Sequence, residues 1–96
     1  MPHVTSIQRA LADQLQQAVA GAGTRRVIYK SEYLGYLPFG QYHWIVVGDK
    51  DISLACPDGW SRADVEALVD AGVLNPVSHW TNPQDECEQE WQYDLA

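Results

Sequence analysis

The sequence has no long apolar run. Its longest unbroken stretch is Trp44-Ile45-Val46-Val47, whereas a membrane-spanning helix needs about 20 apolar residues. The start, Met1-Pro2-His3-Val4-Thr5, carries neither a basic leader nor an apolar segment, so no secretory signal is expected. Cysteine is scarce. Cys56 and Cys87 are too few for a disulfide framework and are expected as reduced, packed thiols in a cytoplasmic protein. Basic residues are few as well: six Lys and Arg stand against thirteen Asp and Glu. A net charge of −7 argues against nucleic acid and anionic membranes as direct partners, because both are held by Lys and Arg.

The charge is unevenly placed. Residues 1–48 sum to +2, from Arg9, Arg25, Arg26 and Lys30 against Asp13 and Glu32. Residues 49–96 sum to −9, with only Lys50 and Arg62 opposing eleven acids. Such a surface attracts a basic partner and speeds encounter with it.

The hydrophobic pattern predicts a single α+β domain over residues 1–96. Val4, Ile7, Leu11, Leu15, Ala18 and Val19 form one helical stripe. Thr5 and Gln8 have capping-box spacing, and Gly21 and Gly23 end the helix. A strand is expected over 25–30, then a loop or short strand over 31–40. Residues 42–47 are apolar on both faces and predict a central strand, with 48–51 as a turn and 52–56 as its return strand. A second helix over 62–71 has Ser61 as N-cap, Asp64 three residues on, and Trp60 stapled to Val65. Gly72 stands past its C-cap, with Val73 and Leu68 in Schellman spacing. Residues 77–81 and 87–95 form a last hairpin. In its second strand Cys87, Gln89, Trp91, Tyr93 and Leu95 share one face, and Glu88, Glu90, Gln92 and Asp94 the other. The expected architecture is an antiparallel sheet of about five strands with two helices on one face, in the order α-β-β-β-α-β-β.

Catalytic signatures do not emerge from these residues. His3, His43 and His79 show no metal-ligand spacing. Asp49 and Asp51 resemble the start of a calcium loop, but Leu54 stands where the turn glycine belongs. There is no nucleophile elbow and no glycine-rich phosphate loop. The expectation is a protein that is not an enzyme, with no catalytic residue, no metal and no cofactor.

Two features point to binding. Six of ten aromatics fall between residues 29 and 44. Tyr33, Tyr36 and Phe39, in a segment containing Gly35, Pro38 and Gly40, are the interface candidates. The second feature is acidic. Glu88, Glu90 and Asp94, extended by Asp85 and Glu86, would repeat along one strand face every ~7 Å. That step is of the order of the spacing between backbone phosphates, so the row could mimic nucleic acid in a basic groove. The expected function is a small acidic protein-binding module that inhibits a basic, nucleic-acid-handling protein such as a nuclease. The overall profile is similar, as a class, to nuclease immunity proteins and anti-CRISPR proteins. One alternative is a neutral scaffold subunit or homodimer whose acidity serves solubility. Another is a small enzyme or ligand-binding protein with a pocket near Tyr36, His43 and Trp80.

Overall fold

The computed structural model describes residues 4–33 and 40–96. The chain runs α1 (Ser6–Ala22), β1 (Arg26–Tyr33), β2 (Gln41–Val47), β3 (Lys50–Asp51), α2 (Arg62–Asp70), β4 (Leu74–Asn82) and β5 (Asp85–Leu95). Every strand pairing is antiparallel, and the spatial order is β3-β2-β1-β5-β4. The α+β class, a five-stranded antiparallel sheet and the element order are those the sequence pattern predicts, although the short third strand, Lys50–Asp51, lies in the segment expected as a turn.

Two local expectations change. The strand 42–47 is not central; β1 is, and β2 has only the two-residue β3 outside it. The expected return strand 52–56 is instead a 3-10 turn over Ser53–Ala55. The reason is a side chain that replaces a ladder bond. Ile52 N–H still donates to Ile45 O at 2.9 Å, but Ile45 N–H donates to the Ser53 hydroxyl at 3.0 Å. Once that donor is satisfied locally, pairing has nothing to extend it, and Pro57 follows.

Both helices start as their sequences dictate, and their starts are joined. Thr5 N–H donates to Gln8 Oε1 at 2.9 Å, and Gln8 N–H donates to Thr5 Oγ1 at 3.2 Å. At α2, Ser61 N–H donates to Asp64 Oδ2 at 2.8 Å. The other Asp64 oxygen accepts from Gln8 Nε2 at 3.1 Å. One carboxylate therefore bridges the first turns of two helices, where partial positive charge accumulates. At its far end α2 closes with a Schellman pair, Val73 N–H to Leu68 O at 2.9 Å and Gly72 N–H to Val69 O at 3.0 Å. Gly72 has φ +78°, which suits glycine and strains any other residue there.

The core lies between the helices and one sheet face. Leu11, Leu15 and Val19 of α1 and Val65 and Leu68 of α2 pack over Val27, Tyr29, Ile45, Val47, Trp91, Tyr93 and Leu95. Leu11, Leu15 and Ile45 are fully excluded from water, so truncating either leucine to alanine costs roughly 2–5 kcal/mol.

The two thiols part company. Both are free, with Cys56 buried and Cys87 exposed. The expectation of two packed thiols thus fails at Cys87, because β5 runs past the area that the helices cover. Burial, aided by Asp51, pushes the Cys56 thiol up to about 11.

Two tests follow from this packing. Asp64→Ala should cost about 1–2 kcal/mol in a denaturant melt, and Ser61→Ala less, since the Asp64 carboxylate holds the α2 start. A larger loss for Ser61→Ala would contradict that assignment. Alkylation of the native protein near pH 8 should label Cys87 alone, with Cys56 reacting only in denaturant. Equal labelling of both in the native state would contradict the burial of Cys56.

Candidate binding face

Strand alternation divides the sheet into a covered and an open face. Register fixes which residues align. On the covered face His79, Trp91, Tyr29 and Ile45 are successive cross-strand neighbours. On the open face Trp80, Glu90, Lys30 and Trp44 form the equivalent row across four strands. Three strand spacings separate the two tryptophan backbones, about 14 Å. Between them lies a cleft of about 140 Å³ that also takes in Glu32 and Glu88. Trp80 is 49% exposed and Trp44 is half-buried.

The expected acidic row is on this face, but it is not bare. Asp94 is held by Arg26 at 2.7 Å and Glu90 by Lys30 at 3.6 Å. Glu88 accepts from Asn82 Nδ2 at 3.0 Å. Gln92 links the two ion pairs, accepting from Arg26 at 2.6 Å and donating to Glu90 at 2.9 Å. The cause is β1, whose Arg26 and Lys30 stand directly opposite Asp94 and Glu90. These exposed pairs add little stability, but they remove two charges from the row. Among the described residues, Asp85, Glu86 and Glu88 form no ion pair. Negative charge is therefore concentrated toward the β4–β5 hairpin.

The aromatic candidates are not gathered with these acids. Tyr33 is 54% exposed at the end of β1 and falls in the covered-face alternation, not the open one. Its ring lies against Gly40, where an added Cβ would come within 2.5 Å of Tyr33 Cε2. Tyr36 and Phe39 lie outside the described residues. Trp44 is the site residue that sequence reasoning passed over, and Trp80 entered it only through the alternative pocket. The available signal was alternation: Trp44 stands at a position of opposite parity to the core residues Ile45 and Val47.

The pocket expected near His43 and Trp80 does not form from those two, because they occupy opposite faces of the sheet. His43 belongs to the core margin. Its Nδ1 pairs with Tyr29 Oη at 2.9 Å, and its ring lies 4.3 Å from that of Trp60. Burial pushes the Tyr29 phenol up to about 12, so the phenol in this pair stays protonated.

A second cleft, of about 490 Å³, opens between α2 and β4. Its floor is Trp91, covered by the Arg62 guanidinium at 3.9 Å and by the parallel ring of His79 at 4.6 Å. Arg62 is also paired with Glu66 at 3.0 Å. No protein-family model, curated protein or solved structure matches the chain. The functional reading therefore rests on these two clefts and the charge around them. Among the described residues no helix is long and apolar enough to cross a membrane.

His43 supplies a pH test. Burial lowers its pKa below the ordinary 6.5, so the unfolded chain takes up the proton first. Its contribution is intact above that ordinary value and is lost as pH falls through the lower folded value. His43→Gln, which keeps an acceptor for Tyr29, should flatten the fall in melting temperature just below pH 6.5. Superimposable slopes for wild type and variant would contradict this.

Proposed function

We propose that the protein is a small acidic binding module whose open sheet face engages a basic partner protein. The observation that carries this reading is the Trp44–Lys30–Glu90–Trp80 row on a face that neither helix covers. Tryptophan supplies large, stiff contact area and receives cations on its ring face. Glu32, Glu88, Asp85 and Glu86 supply the long-range attraction that orients a basic surface during approach. Lys30 and Arg26 keep Glu90 and Asp94 locally balanced, so those two acids set the shape of the face more than its charge.

The specific form of the proposal is inhibition. A partner that handles nucleic acid carries a basic groove, and an acidic module seated there would compete with phosphate. This reading takes the chain as a cytoplasmic binder and not an enzyme.

An arginine-rich peptide is a direct probe. Its binding should quench or shift tryptophan emission and weaken as salt rises. Trp80→Ala should speed dissociation, and Glu88→Lys should slow association. Neither change should move the melt by more than about 1 kcal/mol, since Trp80 is half-exposed and Glu88 is only part-buried. Binding that ignores both salt and Trp80→Ala would overturn the reading.

A further inference from the structure

β4 forms a long edge of the sheet. β3 is only two residues, whereas β4 spans Leu74–Asn82 with no strand outside it among the described residues. Alternate backbone N–H and C=O groups of an edge strand point outward and template pairing, and proteins usually guard such edges with charge. β4 carries no charged side chain. Its guards are Pro76 and two register shifts, one between Pro76 and Ser78 and one between Thr81 and Asn82. They act at the two ends of the strand and leave Ser78 to Thr81 unguarded.

The charge that is missing from β4 surrounds it. Glu66 and Asp70 of α2 line the cleft on the covered side. Asp85, Glu86 and Glu88 follow the hairpin at the far end. The one cation lining the α2–β4 cleft, Arg62, is committed to Glu66 and to the face of Trp91. Each side of the edge also offers a place for side chains. The cleft over Trp91 includes Val77, which is 47% exposed, and the open face presents Trp80.

We propose that β4 accepts an extended, Lys- or Arg-bearing segment of the partner as a sixth strand of the sheet. Main-chain hydrogen bonds to Ser78–Thr81 would hold the segment, with alternate side chains entering the α2–β4 cleft and meeting Trp80. The inference rests on the reading that the partner is basic and adds how it docks. A second copy of this chain is a poorer occupant. Pairing β4 with itself would bring the same carboxylates together from two molecules of net charge −7.

The test uses a blocked peptide that alternates Arg and Val and is long enough to span β4. The readout is hydrogen exchange of the β4 amides, with sedimentation to follow self-association. At saturation, alternate amides between Ser78 and Thr81 should exchange at least about tenfold more slowly, equivalent to ~1.4 kcal/mol. The same peptide N-methylated along one edge should lose this protection, and a Glu-Val counterpart should never give it. Perturbation confined to Trp44 and Trp80, without β4 protection, would overturn strand addition while leaving the basic-partner reading intact. Equal protection by the Glu-Val peptide would overturn the basic character of the segment. Concentration-dependent β4 protection in the protein alone would replace the partner segment with a second copy. No response to the Arg-Val peptide at either place would overturn both readings.

Discussion

The fold depends on a mismatch between one sheet and two helices. Five strands present two faces, and a 17-residue and a nine-residue helix can cover only one of them. Every second residue of β1, β2 and β5 is then committed: Val27 and Tyr29, Ile45 and Val47, and Trp91, Tyr93 and Leu95 go beneath the helices. Their neighbours are left to water by the same alternation. Because register cannot slip by one residue without turning this core outward, the open face is as strictly specified as the buried one. The bridge of Asp64 between the two helix starts fixes where the cover lies.

What the open face then offers is set by charge pairing. β1 brings Arg26 and Lys30 against β5, so the central acids are balanced and the excess is displaced toward the β4–β5 hairpin. β4 itself stays neutral between acids on both sides. The open face therefore presents two tryptophans, a locally neutral floor and an acidic rim. That arrangement suits a desolvated contact steered by charge more than a uniform mimic of a phosphate backbone.

The fold was legible where periodicity and caps agreed. Thr5 with Gln8, Ser61 with Asp64, and Leu68 with Gly72 and Val73 each marked a helix end in the sequence, and each is found there. The return strand after β2 was misread because Ser53 takes a ladder bond with its side chain, an event that no periodicity records. Cys87 follows the core-face alternation of β5, yet it lies beyond the reach of the helices. The acids of β5 were visible as a row, but their neutralisation depended on register with β1, a pairing of residues sixty or more positions apart. Trp44 was hidden by an apolar strand that reads as core on both faces.

The four tryptophans give the most direct test of the account. Trp60 and Trp91 lie on the covered side, against Tyr29, and Trp44 and Trp80 on the open side. With fluorotryptophan incorporated, fluorine NMR resolves each ring during titration with an arginine-rich peptide. The account predicts that the Trp44 and Trp80 signals move in a salt-dependent way while Trp60 stays in place. Movement of Trp60 and Trp91 with Trp44 and Trp80 unchanged would contradict the assignment of the open face as the binding surface.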